Sequence, residues 1–363
     1  MSKKIIDNFS IKGDFVSATP YGNGHINGTE LVVTREGDRE HKYILQRINK
    51  NVFKRPDLLM ENYVSVTEFI RGKILAAGGD PEREVINVIK THDGESYCID
   101  ENGEYWRMLV YVTDNISYDR VEKPEQFYES AVAFGNFQYM LRDYPADTLH
   151  ETIVNFHNTP DRYRQLMEAV ERDVCGRLAE VTADVEFAKA RRDFAATFER
   201  AREEGRLPLR VTHNDTKLNN ILMDAKTGKA KAVIDLDTIM PGSMLYDFGD
   251  SFRFGASTAA EDEKDLSKVH FDIELFKAYA EGYCGAVKNS ITKREAELLP
   301  YGAYLMTIEC GMRFLADYLS CDTYFATKYE GHNLVRCRTQ FALAKEMEEQ
   351  MSQMNAIIEN ILK

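Results

Sequence analysis

No stretch of this chain reaches the roughly 18 apolar residues that a membrane-crossing helix needs. Its start, MSKKIIDNFSIKGDF, carries Lys3 and Lys4 but lacks the apolar run of a secretory leader. A soluble, cytoplasmic protein is expected. Basic residues are in deficit as well: 46 lysines and arginines face 59 aspartates and glutamates, for a formal charge of −13. Broad capture of nucleic acid or of an anionic membrane needs a concentrated basic surface, which sets both partner classes aside. The six cysteines, Cys98, Cys175, Cys284, Cys310, Cys321 and Cys337, include no C-x-x-C pair. Neither a disulfide framework nor a zinc site is indicated, and reduced, packed thiols are expected. Internal repeats and low-complexity segments are absent too.

What remains is ordinary globular material, 44% apolar and 29% charged over 363 residues, too long for one small core and enough for two or three. Short β-rich runs broken by turn residues predict strands over 14–18, 29–34, 42–48, 84–91, 96–99 and 105–112. Asn23-Gly24, Asn27-Gly28 and Asn102-Gly103 supply hairpin turns between them. One helix interrupts this series over 56–77, where Leu58, Leu59, Tyr63, Val66, Phe69, Ile70 and Ile74 follow a 3.6-residue period that ends at Gly78-Gly79. Beyond 111–115 the pattern turns helical, over 123–141, 162–179, 185–204, 271–287, 294–319 and 339–361, with strand signals only near 220–224 and 230–236. A β-rich half followed by a helix-rich half argues an α+β fold of two lobes, 1–112 and 113–363, with a ligand between them.

Between two apolar runs lies the densest polar segment, His213-Asn214-Asp215-Thr216-Lys217-Leu218-Asn219-Asn220, followed fifteen residues after Asn220 by Asp235 in Ile234-Asp235-Leu236-Asp237-Thr238. Polar groups inserted in this way belong on a loop held by a scaffold. Phosphoryl transfer needs a carboxylate to orient a hydroxyl and take its proton, oxygen donors for Mg²⁺, and a cation on the moving phosphoryl group. This stretch holds all three. The competing assignment for Asp215 is a turn-capping aspartate beside Asn214 and Thr216. Asp237 is open between a metal role and a cap toward Pro241-Gly242. A literal Asp247-Phe248-Gly249 lies further on and opens a helical pattern, where its aspartate suits a cap or a brace for the catalytic loop better than a metal ligand.

His-x-Asp-x-Lys-x-x-Asn is the spacing of the protein-kinase catalytic loop. The short distance to Ile-Asp-Leu-Asp-Thr resembles the aminoglycoside phosphotransferase and choline kinase branch, whose members phosphorylate small molecules. Within it, the strings PYGNGHIN, YILQRIN, LHETIVNFHNTP, IDLDTIMPG and RFLADYL are similar to N-acetylhexosamine 1-kinases over residues 20 to 320. The resemblance implies a bilobal protein-kinase-like fold, ATP and Mg²⁺ as cofactors, and N-acetylglucosamine or N-acetylgalactosamine as the sugar substrate. Asp215 becomes the catalytic base, Lys217 the cation at the γ-phosphate, and Asn220 and Asp235 the metal ligands, with His213 ordering the loop. Two other readings stay open: a kinase for another small hydroxyl compound (aminoglycoside, choline or homoserine), or a non-catalytic binding module.

On the nucleotide side, Gly22, Asn23, Gly24 and His25 lie between two predicted strands, where a glycine-rich hairpin can lay backbone N–H groups over phosphates. Kinase N-lobes place a cation on the third strand, paired with a helix glutamate. The third strand here ends Gln46-Arg47-Ile48, so Arg47 is the available cation, unless a one-residue slip turns Gln46 inward. Glu61 is the preferred partner and Glu68 the alternative; the adenine is expected under 108–112. On the acceptor side, the resemblance points to Arg313 and Tyr324 as sugar contacts. The rival for Arg313 is a stabilising i,i+4 pair with Glu309. His157 is read as a satisfied structural histidine.

Overall fold

The computed structural model describes residues 2–22 and 26–363. The chain partitions into two compact units. The first takes Met1–Ile116, Asp143–Val154 and Leu222–Met240, and the second takes Ser117–Arg142, Asn155–Ile221 and Pro241–Lys363.

In the first unit, helix α1 (Ser2–Ile6) precedes strands β1 (Asp14–Pro20), β2 (Gly28–Glu36) and β3 (Arg39–Ile48), and helix α2 (Pro56–Ala76) follows them. Strands β4 (Val88–Ile89), β5 (Cys98–Ile99) and β6 (Tyr105–Val110) complete a six-stranded sheet of order β1-β2-β3-β6-β4, with β5 also on β6 and every pairing antiparallel. The predicted strand over 84–91 shrinks to two residues. Asp80 caps a helical turn at Pro81–Glu84 by accepting the Glu82 N–H, which takes Glu84, the first residue of that stretch, out of the extended state.

Alternation along β3 sorts its side chains. Tyr43 and Leu45 join Ile5, Ile6, Phe9, Val32 and Met108 in a core under one face, and Arg47 falls on that same face. Gln46 falls on the other and pairs in register with Arg107 of β6. Helix α2 begins with Pro56 at its first turn and buries Leu59, Met60, Tyr63, Val66, Ile70 and Ile74. Its Asn62 donates to the His150 and Ile239 carbonyls and accepts from the His150 N–H, which ties the two later segments into this unit.

The second unit is helical. It contains α3 (Pro124–Met140), α4 (Thr159–Arg172), α5 (Met244–Asp250), α6 (Ile273–Val287), α7 (Lys293–Leu319) and α8 (His332–Leu362), with a short strand at Arg210–Thr212. The helix predicted over 185–204 breaks into Thr182–Lys189, Arg192–Ala195 and Thr197–Glu203. Helix α5 crosses α7 so closely that a Cβ on Gly302 would lie 2.6 Å from the Leu245 carbonyl oxygen. Gly249 faces Gly302 at the same crossing, so the glycine of Asp247-Phe248-Gly249 serves backbone approach.

The cysteine expectation is corrected here. Cys175 and Cys321, 146 residues apart, form a disulfide with their Cα atoms 5.8 Å apart. Cys98, Cys284, Cys310 and Cys337 are free. Chain folding, rather than spacing in sequence, brings the pair together. Among the described residues no helix is long and apolar enough to cross a membrane.

Candidate active site

The segment 213–220 leaves the short strand Arg210–Thr212 and ends in the helical turn Leu218–Asn220, all within the second unit. Asn214 sits at φ 65°, a left-handed conformation that asparagine tolerates and that turns the chain sharply before Asp215. Asp247, fully buried at the start of α5, holds this turn. Its Oδ2 accepts from the His213 N–H at 2.9 Å and from Gln138 Nε2 at 2.8 Å, and its Oδ1 accepts from the Asn214 N–H at 2.8 Å. Burial pushes the Asp247 carboxyl up, opposed by His213, by the two backbone donors and by Gln138. Asp250, one turn on, accepts the Thr216 N–H at 2.9 Å and is paired with Arg253 at 2.7 Å. His213 is packed edge-on against Phe134 and Phe137, and its Nδ1 accepts the Asp215 N–H at 3.2 Å.

On this support stand three of the residues read from the motif. Lys217 Nζ lies 3.0 Å from Asp215 Oδ2. Asn220 Nδ2 donates to the Asp215 carbonyl at 2.8 Å and to its Oδ2 at 3.2 Å. With its amide nitrogen committed to Asp215, Asn220 turns its hard Oδ1 away as the atom a cation can use. Asp235 belongs to the first unit, where it is exposed at φ 58° and opens the turn Leu236–Thr238. Amide and carboxylate oxygens are each hard donors of the kind that Mg²⁺ takes. Among the described residues no cluster of three or more His, Cys, Asp and Glu side chains forms a metal cage.

The nucleotide-side residues divide. Gly22 has φ +76°, which only glycine adopts freely; Asn23, Gly24 and His25 lie outside the described residues. The expected Arg47–Glu61 pair does not form. Arg47 is exposed on the α1 side of the sheet, in a pocket of about 270 Å³ shared with Ile26, Gly28, Asn49, Lys50 and Glu104. Glu61 instead meets His150 at 2.7 Å, and Glu68 is exposed. The cation on the α2 face is one that sequence reasoning missed, Arg107, 1% exposed and 2.5 Å from Asp237 Oδ1. A clue was present: a lone arginine inside the apolar run Trp106 to Val110 must either be paired or end the strand.

The acceptor-side residues gather in the second unit. Glu309 is buried and spent on His157 Nδ1 at 2.8 Å and Thr159 Oγ1 at 2.6 Å, so the i,i+4 pairing with Arg313 is not made. His157 Nε2 meets the Asn214 carbonyl at 3.2 Å, which joins this wall to the segment before Asp215. Burial pushes the Glu309 carboxyl up, but His157, Arg313 and the Thr159 hydrogen bond together outweigh it and leave it below the usual range. Arg313 lies over the Phe156 and Phe325 rings, 5.6 and 5.5 Å from their centroids. Tyr324 is 70% exposed, its N–H held by Asp317 Oδ1 at 2.8 Å. A second missed residue, Arg162, donates to the Phe156 carbonyl at 2.8 Å. Burial and then the nearby charge of Arg313 hold its pKa below the ordinary arginine value.

A sequence model described as the phosphotransferase enzyme family matches residues 17–296. Among solved structures, an aminoglycoside phosphotransferase from Alicyclobacillus acidocaldarius is similar at 13% identity, covering 99% of this chain and 97% of that one with a TM-score of 0.58. A choline kinase from Cryptosporidium parvum is similar at 14% identity over 99% of both chains, with a TM-score of 0.57. An ethanolamine kinase from Plasmodium vivax follows at 13% identity over 94% of this chain and 84% of that one, with a TM-score of 0.53. At such identities the likeness is one of fold, and it agrees with the α+β, protein-kinase-like class read from the sequence.

Proposed function

The chain belongs to the phosphotransferase enzyme family, and on that premise we propose that it transfers the γ-phosphoryl group of ATP to the anomeric hydroxyl of an N-acetylhexosamine, giving the sugar 1-phosphate. Asp215 accepts a hydrogen bond from O1 and takes its proton as the new O–P bond forms. The bond from the γ-phosphorus to the β–γ bridging oxygen breaks, and the pair of electrons leaves with ADP. Lys217 places its ammonium on the transferred group, so negative charge gathering there meets a fixed cation. Asn220 and Asp235 are the residues that would hold Mg²⁺, which would neutralise phosphate charge. His213, Asp247 and Asp250 touch no substrate; they keep the backbone on either side of Asp215 in place.

The acceptor assignment is carried by one observation, the closeness of Arg162 and Arg313 beside Phe156. The two guanidiniums there are flanked by the Glu309 and Asp161 carboxylates, so the wall presents arginine donors whose charge is largely offset. A neutral sugar with hydroxyls and an N-acetyl carbonyl offers acceptors for arginine donors, and the exposed ring of Tyr324 offers an apolar face for a pyranose. These donors and that ring support the sugar reading.

An ATP-consumption screen against free N-acetylhexosamines, other sugars, amino alcohols and aminoglycosides tests this, with the phosphorylated atom located by NMR. Turnover of N-acetylhexosamines with phosphate on the anomeric oxygen is the expected result. Turnover of aminoglycosides or amino alcohols without any sugar would overturn the acceptor assignment, and ATP stability with every acceptor would overturn the enzyme reading.

A further inference from the structure

Strand β6 carries a full charge where its neighbours are apolar. Arg107 is almost wholly buried between Trp106 and Met108, and a guanidinium in such a place survives only if it is neutralised and its donors are used. Three neighbours do this. Asp237 Oδ1 lies 2.5 Å from Nη1. Gln46 Oε1 accepts from Nε at 2.9 Å and from Nη2 at 2.8 Å. The Tyr63 ring of α2 lies with its centroid 4.7 Å from Cζ. The contacts then run onward. Asp237 Oδ2 accepts from Asn27 Nδ2 at 2.5 Å, and Asn27 Oδ1 accepts the Asn49 N–H at 3.0 Å. Gln46 Nε2 donates to Thr29 Oγ1 at 3.2 Å. The end of the glycine-rich hairpin, the end of β3, strand β6 and the turn that carries Asp235 are thereby joined through one buried cation, all within the first unit.

We propose that Arg107 is the positioning residue of the nucleotide and metal side, holding Asp237 so that this carboxylate locks the Asn27 end of the hairpin to the Asp235 turn. The assignment rests on the phosphotransferase reading. Gln46 stands on the inner face of β3, and the cation comes from the register-paired position on β6, so no strand-3 cation paired to an α2 glutamate is needed. It also assigns Asp237, with one oxygen ion-paired to Arg107 and the other accepting from Asn27, to bracing, and leaves Asp235 as the metal carboxylate of that turn. Arg107 acts through Asp237 and touches no phosphate.

Arg107→Met alone strands a buried carboxylate and is liable to unfold, so the informative variant is Arg107→Met with Asp237→Asn, which removes both charges together. Binding of MgATP by calorimetry, the Mg²⁺ concentration for half-saturation and the thermal melt are measured for wild type, the double variant and Arg107→Lys. We expect the double variant to stay folded, to need about tenfold more Mg²⁺ and to bind MgATP about tenfold more weakly, as loss of a support for metal ligands does. Arg107→Lys, which keeps the charge without the fork, should recover part of both. A folded double variant that binds MgATP and Mg²⁺ as wild type does would overturn the assignment of Arg107 alone. Failure of the wild type to bind MgATP would overturn the phosphotransferase reading and this inference with it.

Discussion

Replacing Asp247 by asparagine separates two meanings of Asp247-Phe248-Gly249. The carboxylate is wholly buried and accepts three hydrogen bonds, two of them from the backbone of His213 and Asn214. An amide of the same shape keeps one accepting oxygen and turns a donor toward the partners of the other. At least one buried N–H is then left facing another donor, at about 1 to 3 kcal/mol for each such group. Part is offset, because burial already makes the ionised form of Asp247 costly, as its raised pKa records. A net loss of about 1 to 3 kcal/mol follows, well beyond the ordinary effect of a surface change. The displaced His213–Asn214 backbone leads directly into Asp215, so kcat should fall at least tenfold, or about 1.4 kcal/mol in the barrier, with little change in the KM for MgATP. Denaturant unfolding at neutral pH, paired with steady-state kinetics over a range of Mg²⁺ concentrations, reads both effects. A variant of wild-type stability with a raised Mg²⁺ requirement would make Asp247 a metal ligand and refute this reasoning.

Asp215→Asn should leave unfolding within about 1 kcal/mol of wild type, since its ion pair with Lys217 is partly exposed, while kcat falls about 10² to 10⁴-fold for loss of the base; substantial retained turnover would remove Asp215 from that role. Glu309, held below its ordinary 4.5 beside His157, contributes stability that is present above that value and is lost as pH falls through the lower folded-state pKa. Urea titrations across the acid range should therefore show a shallower acid loss in Glu309→Gln than in wild type, and equal slopes would contradict the buried His157–Glu309 pairing.

The candidate catalytic segment was legible because its residues are close in sequence. Asp215, Lys217 and Asn220 sit within six residues, and a loop that short brings them together in any fold that exposes it. Short β-rich runs and a 3.6-residue period likewise marked β1 to β3 and helix α2 nearly to their ends. Asp247 was readable as a brace because a polar residue opening a buried apolar helix must find backbone donors.

Other features depended on distance along the chain. Whether Gln46 or Arg47 faced α2 was a matter of strand register, and a shift of one residue exchanges the two faces. Arg107 became the inner-face cation because β6 paired with β3, setting it beside Gln46 from 61 positions away. His157 met Glu309 across 152 positions, which took that carboxylate from Arg313 and left the guanidinium on aromatic rings beside Arg162. Cys175 met Cys321 in the same way. The sequence by itself determined the reaction class, since phosphoryl transfer here needs residue types at short fixed spacing. Tertiary structure decided which charges are partnered and which are left to bind, because a buried charge takes whatever counter-charge the packed chain brings within a few ångströms.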